Sequence, residues 1–240
     1  MKDERREYLE ANVVVWMAEV SMWQGALPLL EPCLDAKDRE RAARFHFAED
    51  RARYILGRGL ARNILGLYLQ RAPERIEIDS TDRGQPYFPG DETMRFSITH
   101  THDLVAIALT ANVRVGIDIE YMERKLNLKD LAERILSAKD FSEFQALPKP
   151  EKQEAFFRVW TRKEAYLKAT GEGISEGLKM ISVSVRAEET GTIRDARDEA
   201  GATKWRVHSL ALPENYMGCV TCDAERRIEV KQIRSLRSLS

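Results

Sequence analysis

Two carboxylates stand two residues apart in a segment where apolar and polar residues alternate. In residues 113–120 the apolar side chains occupy the odd positions. Gly116, Asp118 and Glu120 therefore share the other face of a predicted strand, with the α-carbons of the two acids about 7 Å apart. Such a pair could bind one Mg²⁺, which prefers hard oxygen ligands. The alternative for this segment taken alone is the solvated face of an edge strand.

A predicted helix further along the chain carries a third acid and two lysines. Its residues 156–168 form an apolar stripe that includes Lys163, and a structural helix would usually avoid a charge there. Trp160, Glu164 and Lys168 follow at intervals of four along one edge of the stripe. The alternative is an amphipathic helix with a snorkelling lysine and an exposed ion pair. A third carboxylate with two lysines would suit a site for phosphate and magnesium.

Seven arginines and no lysine occur between residues 39 and 62. Arginine binds phosphate in a bidentate manner, but interleaved acids allow most of these side chains to form surface ion pairs. We therefore expect one or two of them to bind an anion. His100 ends an apolar segment and His102 follows it, and either could contact a phosphate or be an ordinary hydrogen-bonded surface residue.

The overall composition excludes several classes of protein. A net charge of -1 gives no global field that would attract nucleic acid or a membrane surface, and the apolar runs are too short to span a bilayer. Three cysteines and a charged N-terminus predict a cytoplasmic protein, which we expect to be a monomer. Cys219 and Cys222 form a lone CxxC in a predicted strand, where residues three apart point to opposite faces, so we expect core cysteines.

Helices followed by strands occur twice, which predicts an α+β protein with two lobes of similar size, residues 1–122 and 123–240. We expect residues 188–201 to form a mobile loop and the tail after Glu225 to fray. The expected helices are residues 35–45, 50–70, 128–147 and 151–170. The expected strands are residues 13–20, 75–78, 94–100, 104–110, 113–120, 181–186, 204–210 and 216–221.

Four motifs in this order resemble the 4'-phosphopantetheinyl transferase superfamily, specifically its long two-lobed members. The last two are highly specific as a pair, and the resemblance covers about residues 34–185. The motifs are residues 54–62 (YILGRGLAR), 84–86 (GQP) with 96–100 (FSITH), 116–120 (GIDIE), and 160–168 (WTRKEAYLK) with 171–173 (GEG).

The resemblance implies a fold and an activity. The fold would be two α+β lobes related by a pseudo-twofold axis, each a small, mostly antiparallel sheet with packed helices, with the active site at the lobe junction. The activity would be transfer of the 4'-phosphopantetheine of coenzyme A to a serine of an apo acyl or peptidyl carrier protein, with release of 3',5'-ADP. The carrier could serve fatty-acid, polyketide or nonribosomal-peptide biosynthesis. A metal-dependent phosphoesterase and a non-catalytic carrier-protein binder are the alternatives.

The resemblance also implies roles for the charged residues of the last two motifs. Asp118, Glu120 and Glu164 would bind Mg²⁺ against the pyrophosphate of coenzyme A. Glu164 would also be the general base that removes the proton of the carrier serine. Lys163 and Lys168 would neutralise charge on the phosphates during in-line displacement.

Contacts to coenzyme A are implied for residues of the first two motifs and their surroundings. Gln85 stands where many relatives carry lysine, while Ser97 and Thr99 stand where asparagine or serine is usual. Hydroxyls at these positions can still form hydrogen bonds. The implied contact residues are Arg53, His100, Arg41, Thr99 and Gln85.

Overall fold

The computed structural model describes residues 2–124, 126–173, 177–187, 190–198 and 204–239 of the 240-residue chain. The chain divides into two compact units. Unit 1 comprises Met1–Asn112 and Arg227–Ser240, and unit 2 comprises Val113–Arg226. In the described part of the chain, no helix has both the length and the apolar character needed to cross a bilayer.

Helices and short strands alternate along both units, which confirms the predicted α+β class. The helices are α1 (Lys2–Ala11), α2 (Val20–Trp23), α3 (Leu27–Leu30), α4 (Ala36–Ala43), α5 (Ala48–Leu69), α6 (Leu128–Ile135), α7 (Ala138–Ala146) and α8 (Lys152–Thr170). The strands are β1 (Asn12–Glu19), β2 (Asp79–Ser80), β3 (Pro86–Tyr87), β4 (Met94–Thr101), β5 (Leu104–Ala111), β6 (Val115–Tyr121), β7 (Ile181–Ser182), β8 (Thr190–Thr192), β9 (Arg194–Asp195), β10 (Arg206–Ser209), β11 (Tyr216–Cys222) and β12 (Arg227–Gln232).

Unit 1 contains a four-stranded sheet in the order β12-β1-β5-β4, with the long helix α5 packed on it. Its β4–β5 and β5–β1 pairs are antiparallel. Gly57 allows α5 to lie close to the sheet, because a Cβ at that position would be 3.3 Å from the Ile98 side chain. Asp35 caps the N-terminus of α4, since its carboxylate accepts a hydrogen bond from the Asp38 N–H.

The C-terminal segment is ordered by pairing with the first strand. β12 lies parallel to β1, with Asn12 opposite Arg227 and Met17 opposite Gln232. Beyond β12, the indole N–H of Trp23 donates to the carbonyl of Ile233 at 3.1 Å. The prediction that the tail frays was therefore wrong, because it did not consider a strand that returns to the first sheet.

Unit 2 contains a second four-stranded sheet, in the order β6-β11-β10-β8, and all of its pairs are antiparallel. Helix α8 packs against β6 and β11. Because β6 pairs with β11 rather than with β5, the strand that carries Asp118 and Glu120 belongs to unit 2. The division between the units therefore falls ten residues before the predicted boundary at residue 122, and residues 227–240 return to unit 1.

Several predicted elements differ from those observed. The single helix predicted for residues 128–147 is two helices, since Leu136 is extended and the Ser137 hydroxyl caps α7. The strand predicted for residues 75–78 is absent from this described segment, where Pro73–Arg75 form a 3₁₀ turn. The predicted loop at residues 188–201 lies partly outside the described residues, and its described part includes β8 and β9. Helix α1 was not predicted.

Candidate active site

A glycine brings the backbone of β6 against the backbone of α8. A Cβ on Gly116 would lie 1.9 Å from the carbonyl oxygen of Ala165 and 2.6 Å from the nitrogen of Ala169. No larger residue fits there without moving one of the two elements. Since Asp118 lies two residues after Gly116 on the same face, this close approach places its carboxylate beside the side chains of α8.

Asp118 and Glu120 both contact polar side chains on that face. Lys168 Nζ lies 2.7 Å from Asp118 Oδ1. Arg124 forms an ion pair with Glu120 Oε2 at 2.6 Å, and the indole N–H of Trp160 donates to Glu120 Oε1 at 3.0 Å. Only 5% of Asp118 is exposed. The alternative of a solvated edge-strand face is thereby excluded for Asp118.

Glu164 lies in the same neighbourhood and is the least satisfied of the three acids. Only 3% of the residue is exposed, and its buried Oε1 has no hydrogen-bond partner among the described residues. Burial raises the pKa of Glu164 to about 7; the Asp118 and Glu120 carboxylates act in the same direction, and Lys168 opposes them. Asp118, Glu120 and Lys168 all influence the pKa of Glu164, so these four side chains lie near one another, and we refer to them as the acidic cluster.

The structure does not bring Lys163 to this acidic cluster. Lys163 is 0% exposed, and its ammonium forms an ion pair with Asp140 at 3.1 Å. It also donates to the carbonyls of Ile135 and Leu178, at 2.9 and 3.0 Å. Burial lowers the pKa of Lys163, and the Asp140 carboxylate opposes that shift. The expected phosphate contact of Lys163 is therefore replaced by a structural role that joins α8 to α6 and α7.

The acidic cluster has the donor chemistry of a magnesium site. Three carboxylates offer hard oxygen atoms, and a cation on Glu164 would supply the partner that its buried Oε1 lacks. In this conformation no three Asp, Glu, His or Cys side chains of the described residues are grouped closely enough to hold a metal ion. Lys168 contacts Asp118 instead, and Arg124 contacts Glu120.

A separate cleft of about 320 Å³ lies within unit 1, between α4, the start of α5, the β2–β3 hairpin and the end of β4. Its lining includes three of the predicted coenzyme A contacts, Arg41, Arg53 and His100. Lys37 and Ser80 also line it and were not predicted. Lys37 stands just before the arginine-rich stretch. The prediction of anion-binding residues considered only arginines there and therefore did not include it.

Two of the arginines in this stretch have structural partners. Asp38 is buried and accepts hydrogen bonds from the hydroxyl of Tyr54 and from Arg58, both at 2.7 Å. Arg62 is buried as well, and it pairs with Asp38 at 2.6 Å and with Asp35 at 2.7 Å. Arg44, Arg51 and Arg53 also pair with acids, so five of the seven arginines form ion pairs, which agrees with the prediction that ion pairs explain most of them.

Arg41 and Arg53 line the cleft, and Arg41 has fewer fixed partners than Arg53. The Arg41 guanidinium lies over the Tyr54 ring, 5.5 Å from its centre, and forms no ion pair with a described residue. Arg53 donates to the carbonyl of His102 at 2.8 Å and pairs with Asp50 at 2.5 Å. Each guanidinium has further N–H groups, so both can still donate to an anion in the cleft.

Two other predicted contacts do not line the cleft. Thr99 is buried on the face of β4 opposite Ile98 and His100, because successive residues of a strand alternate. Gln85 lies between two residues that line the cleft, Gly84 and Pro86, but its own side chain is not part of the lining. The expected coenzyme A contacts of Thr99 and Gln85 thus have no support from the geometry of the cleft.

The two cysteines of the CxxC motif lie in the core, as predicted. Cys219 and Cys222 are buried free thiols in β11. Burial raises the pKa of Cys219 to about 12 and that of Cys222 to about 11. Both therefore remain protonated core residues at neutral pH.

Two family models match the chain, and each falls within one unit. Residues 15–112 match the model described as 4'-phosphopantetheinyl transferase, N-terminal. Residues 114–221 match the model described as 4'-phosphopantetheinyl transferase superfamily. The cleft lies in the first region and the acidic cluster in the second.

Individual relatives agree with these matches. The chain is 34% identical over 215 residues to the 4'-phosphopantetheinyl transferase HetI of a Nostoc species, with 88% of each chain covered. It is 28% identical to the 4'-phosphopantetheinyl transferase Sfp of Bacillus subtilis, over 78% of this chain and 74% of Sfp. A solved structure, the holo-acyl-carrier-protein synthase of Thermotoga maritima, matches with 22% identity and a TM-score of 0.38, over 48% of this chain and 64% of that chain.

The chain belongs to the 4'-phosphopantetheinyl transferase superfamily. Enzymes of this family use coenzyme A and act on carrier proteins. The predictions of the family and of transferase activity are thereby confirmed.

Proposed function

We propose that this enzyme transfers 4'-phosphopantetheine from coenzyme A to a serine of an apo acyl or peptidyl carrier protein, in a reaction that requires Mg²⁺. The observation that supports the proposal most is Glu164, a carboxylate buried beside Asp118 with one oxygen that makes no hydrogen bond to a described residue. A buried, unsatisfied carboxylate destabilises a fold, so its presence favours a ligand-binding role.

Asp118, Glu120 and Glu164 would hold the metal ion. When bound, Mg²⁺ supplies Lewis-acid stabilisation of charge on the pyrophosphate. The contacts that Asp118 and Glu120 make with Lys168 and Arg124 would then be exchanged for contacts with the cation and the phosphates. Lys168, which is partly exposed, can make this exchange.

Glu164 would also accept the proton of the carrier serine, directly or through a water molecule. The serine oxygen forms a bond to the phosphorus that bears pantetheine, and the bond from that phosphorus to the bridging oxygen of the pyrophosphate breaks. The leaving group is 3',5'-ADP. The Lys168 ammonium would stabilise the negative charge that develops on the phosphate oxygens.

In unit 1, we assign phosphate binding to Arg41, Arg53 and His100. Guanidinium groups bind phosphate in a bidentate manner, and both arginines line the same cleft as His100. Lys37 lines this cleft as well. Its side chain is 84% exposed and forms an ion pair with Asp79 at 3.5 Å. An exposed pair of this kind is weak, so Lys37 can turn to a phosphate instead.

Intact-mass analysis of apo carriers tests this function. Candidate carriers of fatty-acid, polyketide and nonribosomal-peptide type are incubated with the enzyme and coenzyme A, with Mg²⁺ or with excess EDTA. We expect one phosphopantetheine adduct on at least one carrier, only with Mg²⁺ present. Equal modification in EDTA would contradict the metal requirement. Release of 3',5'-ADP without an adduct on any carrier would favour a phosphoesterase instead.

A further inference from the structure

A second cavity in unit 1 is separate from the cleft described above. It has a volume of about 660 Å³ and is formed by α1, β1, the end of α5, β12 and the C-terminal turn. None of its lining residues lines the Arg41 and Arg53 cleft. It is therefore distinct from the cleft to which phosphate binding is assigned above.

One wall of this cavity is a lysine held between two aromatic rings. Lys231 Nζ lies 5.1 Å from the centre of the Trp16 ring and 5.6 Å from that of the Tyr8 ring. Its ion pair with Glu229 is long, at 3.5 Å. Aromatic faces stabilise an ammonium but do not accept strong hydrogen bonds, so Lys231 can still bind an acceptor.

The same lining holds three further hydrogen-bond donors, on Trp16, Tyr68 and Arg5. The Trp16 indole N–H is buried and makes no hydrogen bond of normal geometry to a described residue. Burial raises the pKa of Tyr68 to about 12, while the nearby Arg5 guanidinium and Trp16 N–H oppose that shift. Arg5 donates one N–H to the carbonyl of Leu67 and retains others. Trp16, Tyr68 and Arg5 thus add hydrogen-bond donors to the cavity that Lys231 also lines.

The remaining lining determines the kind of ligand. Leu67, Leu239 and the aromatic rings give the cavity an apolar surface. The charged side chains of the lining are Arg5, Lys231 and Glu4, and Glu229, next to the lining, pairs with Lys231. From the hydrogen-bond donors and the apolar wall, we propose that the cavity binds an amphipathic monocarboxylate, a molecule with one carboxylate on an apolar body.

Fatty and aromatic acids share this chemistry, and calorimetric titration of the full chain with sodium octanoate and sodium benzoate distinguishes them. At least one acid should bind saturably, and 1-octanol and benzyl alcohol, which lack the charge, should bind at least about tenfold more weakly. Tighter binding of octanoate would indicate a fatty acid as the ligand, and tighter binding of benzoate an aromatic acid. Failure of both acids to bind, or equal binding of the alcohols, would overturn the proposal.

Variants locate the binding. Lys231→Met should weaken the preferred acid about 10- to 100-fold, because it removes a charge-assisted contact. Trp16→Phe keeps an aromatic ring without the N–H and should weaken binding as well. Two controls should bind the acid like the parent: Arg227→Met, an exposed change on the same strand, and Arg53→Ala in the other cleft. Unchanged affinity in Lys231→Met, or lost affinity in Arg53→Ala, would overturn the assignment.

Discussion

Helix α8 presents charged side chains to two regions of unit 2. The charged groups have more hydrogen-bond and ion-pair partners in one region than in the other. On the side of α6 and α7, Lys163 has three oxygen partners and no solvent exposure. On the side of β6, Glu164 has a buried oxygen with no described partner, and Lys168 is partly exposed. Removal of one partner from a buried ion pair destabilises a fold, whereas a buried carboxylate without a partner can bind a ligand. Two lysines of one motif therefore have different roles.

The largest expected effect on stability is that of Lys163→Met. The variant leaves the charge of Asp140 buried without a cation, and breaking a buried pair in this way typically lowers the free energy of unfolding by about 3–5 kcal/mol. Urea denaturation measures the change. Lys139→Met is the control, since its ion pair with Glu143 is largely exposed and should contribute less than about 1 kcal/mol. If both variants lost the same free energy of unfolding, the buried ion pair of Lys163 would matter no more than an exposed one.

On the other side of α8, Glu164→Gln should lose activity and keep its fold. The amide has the same shape but cannot accept the serine proton or give a negative charge to a cation, so turnover should fall roughly 100-fold or more. The melting temperature should not fall, because the change removes a buried charge. Glu154→Gln on the same helix, which only removes an exposed pair with Arg158, is the matched control. Unchanged turnover in folded Glu164→Gln would exclude Glu164 from the site.

Two arginines of unit 1 allow the same comparison between a side chain that binds a ligand and one that stabilises the fold. Arg53 lines the cleft, and Arg53→Ala should raise KM for coenzyme A about 10- to 100-fold while turnover at saturation is retained, because the contact is similar in ground and transition states. Arg62→Ala should instead destabilise the protein, since Arg62 pairs with buried Asp38. If KM in the folded Arg53 variant stays within about twofold of the parent, Arg53 is one more structural ion pair.

The smallest expected effect is that of Gly116→Ala, which tests the contact between β6 and α8. The added methyl would meet the Ala165 carbonyl at 1.9 Å, and overpacking of this kind typically destabilises by about 1–3 kcal/mol. Because the strand must shift, turnover should fall as well. In Gly25→Ala the methyl meets no atom within 4 Å, so this control should retain both properties. If Gly116→Ala kept the stability and turnover of the parent, the close contact at Gly116 would not be needed to position β6 against α8.

Local patterns predicted much of this molecule. The period of two in β6 predicted the shared face of Asp118 and Glu120, and the helical spacing predicted that Glu164 and Lys168 follow one edge of α8. Both features depend only on backbone geometry. The charge of Lys163 within an apolar stripe favoured a phosphate site, whereas the structure pairs this lysine with Asp140.

The identity of that partner could not be predicted. Asp140 lies on α7, and its contact with Lys163 depends on how α7 packs against α8, which no local spacing encodes. The same limit explains β12, whose parallel pairing with β1 joins the two ends of the chain. Thr99 differs, because the alternation of residues along β4 already places its side chain on the face opposite His100, and only the resemblance suggested a contact there.

We propose that α8 has a structural side with Lys163 and a catalytic side with Glu164 and Lys168. The most direct test is the turnover of the double variant Lys163→Met with Asp140→Asn. The asparagine keeps an acceptor for the Val183 N–H, while both buried charges are removed together. If Lys163 is structural, the double variant should regain stability over Lys163→Met and transfer phosphopantetheine within about threefold of the parent rate. Lys168→Met should meanwhile lose about 100-fold or more. Recovery of stability with turnover as low as that of Lys168→Met would show that Lys163 acts on the phosphates, and would contradict the account.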